Sequence, residues 1–163
     1  MRVMTRADYQ AARHCDRQYY AGRWSFMSAA AAFVEPVLID TMRVLELGPY
    51  YLPIVIGADT MDMRKEPKPT IRHDARITPW PIEDGAYDLF IAFQVFEHLR
   101  PHVAIAFAEA FRIARHVIVS FPLEWPTSCV HGGITRERIA RWAGRVPEVA
   151  QVANHRIMCL WEG

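Results

Sequence analysis

The sequence predicts an α/β domain built on a mostly parallel sheet, doubly wound with helices on both faces. Two observations carry this expectation. Short continuous apolar runs closed by glycine or proline recur along the chain, as in RVLELG (Arg43 to Gly48) and HVIVSF (His116 to Phe121, before Pro122), and such runs mark strands buried on both faces. Between Tyr87 and Phe121 the order is strand, helix, strand, which implies a parallel pair joined by a right-handed crossover.

The elements follow in order. Thr5 to about Val34 reads as helix: Asp8 stands three residues after Thr5, alanines are frequent, and no proline occurs before Pro36. Gly22 divides it into two pieces. RVLELG is the first strand, and a second is expected at Ala58 to Asp62. Prolines at 67, 69, 79 and 81 mark irregular connections around a brief third strand at Thr70 to His73. Tyr87 to Phe93 (YDLFIAF), introduced by the turn Glu83-Asp84-Gly85, is the fourth. His102 to Ala114 then has apolar residues at helical spacing, and His116 to Phe121 is the fifth strand. A capped helix from Thr135 to about Ala143 and a final strand at His155 to Glu162 complete the chain.

Only nine residues separate Gly48 from Ala58, whereas a parallel crossover containing a helix needs at least ~10–12. The first crossover helix is therefore expected to be reduced or absent.

At 163 residues, one core should serve the whole chain, and a hydrophobic content of 52% excludes disordered and disulfide-scaffold classes. Nineteen basic residues against 18 acidic ones leave a formal charge of +1, so the totals carry no nucleic-acid footprint and point to a small-molecule or protein partner. Cys15, Cys129 and Cys159 are scattered and never in a C-x-x-C arrangement, which suggests neither a disulfide framework nor a metal site. Charges interrupt the first ten residues, and the longest apolar run, Met27 to Val34, is far below a membrane span. No membrane association and a cytoplasmic location are expected.

Open parallel sheets bind ligands at the carboxyl ends of their strands. Here those ends bear Glu46, Gly48 and Pro49, then Asp59 and Asp62, then Asp74, then Gln94 to His98. An acidic strand end is commonly just a cap or a solvated turn, but several in one domain favour a ligand.

VLELG, an acidic strand end, HDARITPWPIEDGAYDLFIAFQVFEHL and HVIVSFP, in that order, resemble the class I S-adenosylmethionine-dependent methyltransferases. The resemblance covers roughly Arg43 to Pro122 and is most specific from Asp74 through Leu99; HGGITRERI (His131 to Ile139) is similar to an element of the family's small-molecule branch. It implies a Rossmann-like fold over 1–163, with residues 1–40 as a helical lid, 43–122 as the cofactor-binding core and 123–163 as a closing helix and strand. It also implies S-adenosylmethionine as cofactor and methyl transfer to a small-molecule acceptor. By the same resemblance Glu46, Gly48 and Pro49 approach the cofactor's amino-acid moiety. Asp62, with Asp59 as competitor, takes the ribose hydroxyls, since a carboxylate accepts two hydrogen bonds from a vicinal diol. Asp74 and the amide of Ala75 read the adenine, and Gln94, Val95 and Phe96 flank the reaction centre.

His98 and His131 are the candidate general bases; the alternatives are that His98 shapes the next helix and that His131 is merely exposed. Tyr19, Tyr20, Arg23 and Trp24 belong either to the lid or to the core, and Trp80 either packs or borders the adenine. Leu123, Trp125 and Pro126 either wall the acceptor site or cover the sheet edge. The acceptor site falls to the N-terminal helix, the Pro122 to Gly133 loop, or a second subunit, so a homo-oligomer or protein partner is also considered. The departure from the family lies in Gly48-Pro49-Tyr50-Tyr51-Leu52-Pro53, which has one glycine and two prolines where the family has a glycine-rich loop. Prolines donate no amide hydrogen, and this motivates a rival expectation, a fold-sharing scaffold that no longer binds the cofactor; a third, a site for another nucleotide, follows because ribose recognition by an acidic strand end is shared by dinucleotide-binding domains.

Overall fold

A computed structural model of the chain describes residues 1–123 and 132–163. In order it contains β1 (Arg2–Val3), α1 (Arg6–Cys15), α2 (Arg17–Tyr20), α3 (Trp24–Val34), β2 (Val44–Leu47), β3 (Val55–Ile56), β4 (Asp59–Asp62), β5 (Ile71–Arg72) and β6 (Tyr87–Phe93). A 3-10 turn (Phe96–Leu99), α4 (Val103–Ile113), β7 (Ala114–Pro122), α5 (Arg136–Ala143), β8 (Val149–Ala153) and β9 (Arg156–Glu162) follow.

Seven strands form one sheet in the order β5-β4-β2-β6-β7-β9-β8. The pairs from β5 to β7 are parallel, and β9 is antiparallel to both β7 and β8. Alternation along β6 sorts the core into two layers, because successive side chains leave opposite faces of a strand. Leu89 and Ile91 meet Tyr20, Phe26 and Phe33 of the N-terminal helices on one face. Phe90 and Ala92 meet Phe107 of α4 and Ile139 of α5 on the other.

The N-terminal segment breaks twice rather than once. Thr5 caps α1 with a reciprocal pair: the Asp8 amide donates to the Thr5 hydroxyl, and the Asp8 carboxylate accepts from the Thr5 amide at 2.7 Å. Asp16 ends α1 and caps α2 by accepting from the Tyr19 amide at 2.8 Å. Aspartate competes with the helical backbone for its own hydrogen bonds, so a residue read as mid-helix becomes a boundary. Gly22, with φ of +71°, makes the second break. Helix α3 then lies on the sheet as core, so residues 1–40 do more than form a lid.

No helix joins β2 to β4. The segment between them holds only β3, which pairs antiparallel with β1 through Arg2↔Ile56 and Val3↔Val55. Glu46 clamps this flat connection: one carboxylate oxygen accepts from the amides of Ile54 at 2.7 Å and Val55 at 3.3 Å. Between β4 and β5 the chain also lacks a helix. The face that crossover helices would cover is filled by α1 to α3 instead, and this keeps the carboxyl ends of β2, β4 and β5 open at their rim.

Candidate active site

Register decides which side chains reach that rim. Leu45 pairs with Asp59 and Leu47 with Met61, so Asp62 emerges at the carboxyl end beside Gly48 while Asp59 lies at the opposite end. There Asp59 accepts from the Tyr87 hydroxyl at 3.1 Å. Asp62 and Asp74 line one cleft of about 310 Å³ together with Gly48, Ala75, Gln94 and His98. That volume stands at the lower bound of small-molecule sites.

Gly48 forms the floor. Its φ is +65°, and a Cβ there would lie 2.9 Å from Val95 Cγ2, so only glycine lets the backbone turn and approach Val95 without strain. Gln94 also takes a positive φ, 56°. Its amide donates to the Ser120 hydroxyl at 3.0 Å, its side-chain nitrogen does the same at 3.0 Å, and its carbonyl oxygen accepts from Arg156 Nε at 2.8 Å. This left-handed step ends the alternation of β6 and sends Val95 and His98 to the cleft.

One expectation is corrected here. Phe96 is not at the reaction centre: the step at Gln94 turns it inward, where it is fully buried against Phe90, Phe107 and Phe121. Glu46 and Pro49 line a separate cavity of about 40 Å³ between the bend and the N-terminal helices, not the main cleft. Trp80 is core, donating from its indole to the Ala75 carbonyl at 3.1 Å. His98 is exposed at the cleft wall. His131 lies outside the described residues, as do Trp125, Pro126 and Cys129. Among the described residues no group of histidine, cysteine, aspartate and glutamate could hold a metal ion, and no helix is long and apolar enough to cross a membrane.

The two cleft carboxylates carry the same clasp. In Asp62-Met63-Arg64, the Arg64 amide donates to Oδ1 at 2.9 Å, Nε to Oδ1 at 3.1 Å and Nη2 to Oδ2 at 2.9 Å. In Asp74-Ala75-Arg76 the Arg76 amide, Nε and Nη2 repeat this at 3.0, 2.9 and 2.7 Å. The Arg76 guanidinium, aided by its amide, holds the Asp74 carboxyl at about 2. Arg64 also lies 4.7 Å over the Tyr50 ring. Neither arginine was legible as a site residue; the repeated Asp-x-Arg spacing is the signal that could have marked them.

Burial pushes the Glu46 carboxyl up to about 8, against the pull of the Val55 and Ile54 amides. Burial likewise raises Glu97 to about 7. The cleft also takes in Tyr19, and Ser120 and Arg156 act on it through Gln94; Tyr19 and Arg156 lie outside the strand-end motifs.

This strand order, with cleft-lining residues at the carboxyl ends of β2, β4, β5 and β6, defines the Rossmann-like fold of the class I S-adenosylmethionine-dependent methyltransferases. Solved structures agree. A SAM-dependent methyltransferase from Aquifex aeolicus is similar with a TM-score of 0.61 at 15% identity, over 82% of this chain and 87% of that one. A SAM-dependent methyltransferase from Thermotoga maritima, described as a possible histamine N-methyltransferase, gives 0.63 at 12% identity over 96% and 98%. The 16S rRNA methylase RmtB gives 0.57 at 15% over 99% and 76%. No family model and no curated protein matches the chain. These likenesses establish the fold.

Proposed function

We propose that this protein transfers a methyl group from S-adenosylmethionine to a small-molecule acceptor. The observation that supports the reading best is the convergence of Asp62 and Asp74, from neighbouring strands, on one cleft with Gly48 and Gln94. Asp62 is nearly buried and Arg64 half exposed, at 7% and 48% side-chain exposure. Its Oδ2 accepts only one bond from Arg64, so a lone pair remains for one hydroxyl. Gripping both hydroxyls of a ribose requires the guanidinium to swing out, and an ion pair this exposed is worth about 0–1 kcal/mol. The residues therefore fit a nucleoside.

The bound cofactor supplies an electrophilic methyl group on a sulfonium, and displacement there needs chiefly alignment. In this reading Asp62 holds the ribose, Asp74 and the Ala75 amide hold the adenine edge, and Val95 and Leu99 supply apolar walls. Gln94, fixed by Ser120 and Arg156, sets the floor beside the reacting atoms. His98 accepts a proton where the acceptor is a hydroxyl or a protonated amine. The near-neutral charge favours a small acceptor over nucleic acid, and the free cysteines Cys15 and Cys159 are compatible with a cytoplasmic setting.

A second reading, a non-catalytic protein of the same fold, is favoured by the clasps that already occupy Asp62 and Asp74. Calorimetry with S-adenosylhomocysteine separates the two. The enzyme binds it, and Asp62→Ala weakens binding about a hundredfold, the value of two charge-assisted hydrogen bonds less partial compensation. Absence of binding and of thermal stabilisation at millimolar ligand refutes the first reading, since a ligand of the native state must stabilise it.

A further inference from the structure

The sheet ends on β8, and its outer edge is open: among the described residues no strand pairs with it on that side. Val149, Ala150, Gln151 and Val152 are all exposed. The segment VAQVA carries no charge, no proline and no glycine. Edge strands that stay single are commonly guarded by charges or proline, because their free amides and carbonyls template further pairing.

The turn after β8 sets which of its backbone groups are free. Asn154 and His155, both at positive φ, form a two-residue loop between Ala153 and Arg156, which face each other across the hairpin. In such a hairpin the pair next to the turn exchanges both backbone hydrogen bonds, and the pattern then alternates. Ala153, Gln151 and Val149 therefore direct their amides and carbonyls to β9, whereas Ala150 and Val152 turn theirs outward.

This edge is complementary to itself. Placed antiparallel about a two-fold axis at Gln151, two copies of β8 set Ala150 against Val152 and Val152 against Ala150, the residues whose backbone groups are free. Each such pair exchanges two hydrogen bonds. The flanking pairs set Val149 against Ala153, so a valine meets an alanine on either side of the axis and bulk is shared evenly. At the axis Gln151 meets its own copy, amide to amide. Glu148 meets Asn154, so no like charges are opposed. Ala150 and Val152 share the α5 face of the sheet with Cys159 and Ile157, opposite them on β9. There Ala150, Ile157 and Cys159 line an apolar hollow of about 530 Å³ against Ile139 and Ala140 of α5. Val146 at its margin is 72% exposed, and Val152 46%. Val152 of the second copy, standing opposite Ala150, falls at the edge of this hollow, so pairing also covers apolar surface that one chain leaves to water.

We propose that the protein forms a closed dimer by antiparallel pairing of β8 with β8 of a second copy, its two-fold axis at Gln151. An isologous contact of this kind uses the edge once in each chain and stops at two. Two strands, β9 and β7, separate it from β6, the nearest strand whose end lines the cleft, so it is independent of the function proposed above.

Sedimentation equilibrium from micromolar to submillimolar concentration tests it on the wild type, on Gln151→Lys, on Gln151→Glu and on an equimolar mixture of the two variants. Thermal unfolding confirms that each variant is folded. The wild type should reach a plateau at twice the mass of one chain. Each variant alone opposes like charges at a Cβ separation of about 5 Å and should dissociate at least about tenfold more readily. The mixture opposes lysine to glutamate and should recover dimer to within about threefold of wild type. Hydrogen exchange on the wild type needs no variant: the Ala150 and Val152 amides should be protected at the concentration of the dimer and lose protection on dilution. A wild type that stays a single chain overturns the proposal, as does a mass that climbs past two chains without a plateau. A dimer that the variants leave unchanged, or weaken without recovery in the mixture, has its contact elsewhere and overturns it too, as do Ala150 and Val152 amides that exchange alike at both concentrations.

Discussion

Glu46→Gln should flatten part of the protein's stability profile against pH. Glu46 is 2% exposed, and its carboxyl is pushed up to about 8 from an ordinary value of 4.5. A raised carboxyl pKa means that the folded state holds a proton the unfolded chain releases near pH 4.5. Stability from this group is therefore greatest below pH 4.5, falls as pH rises through the interval from 4.5 to 8, and is flat above it. At about 1.4 kcal/mol per pH unit, the loss between pH 5 and pH 9 is about 4 kcal/mol. Glutamine keeps an oxygen for the Ile54 and Val55 amides and has no proton to lose. Urea unfolding followed by tryptophan fluorescence at pH 5, 7 and 9 gives the difference between variant and wild type, in which every other titrating group cancels. That difference should shift by about 4 kcal/mol in favour of the variant from pH 5 to pH 9. Parallel profiles would refute the claim that burial outweighs the two amides. Glu97, raised to about 7 by burial, has the same sign and remains in both proteins.

Gly48→Ala should lower stability by about 1–3 kcal/mol through its positive φ and its crowding of Val95; adding Val95→Ala should return only the steric part, as read by thermal unfolding. Arg64→Ala should change stability by less than about 1 kcal/mol and strengthen S-adenosylhomocysteine binding about two- to fivefold by removing the competitor for Asp62. A weaker complex in calorimetry would mean that Arg64 holds the ligand instead.

Strands with a strong apolar run were legible nearly to the residue, because burial on both faces leaves a signal that no loop imitates: Tyr87 to Phe93 is an example. β1, β3 and β8 were not. The first two are two residues long, too short for any periodicity, and exist only because each supplies the other's hydrogen bonds. β8 is an edge strand exposed on both faces, so neither alternation nor an apolar run marks it. Its one signal is the Asn154-His155 turn, both residues at positive φ, a tight hairpin geometry that asparagine favours. At the site, the placing of Asp62 against Asp59 depended on register, which spacing alone had to guess. Phe96 was misplaced because one left-handed residue, Gln94, reversed the faces beyond it. Arg23 precedes the first strand-end motif and Arg156 follows the last, and they come together only through the sheet and α3.

The missing crossover helix and the unusual site are one fact with two consequences. A connection too short for a helix cannot cover its face of the sheet, so α1 to α3 must fold back over β2, β6 and β7 to bury Leu89, Ile91 and Ile118. That same packing carries Tyr19 and Arg23 to the rim, to the place where helix amides would have been. Glu46 couples the two: with its carboxylate bonded to Ile54 and Val55, it fastens the bend to β2 while lining the hollow that Arg23 enters. A positive wall of fixed peptide dipoles is thereby exchanged for one of full side-chain charges. Dipoles cannot titrate or move, whereas a guanidinium can be removed by a single substitution without disturbing the strands, so the charge at this rim is separable from the fold.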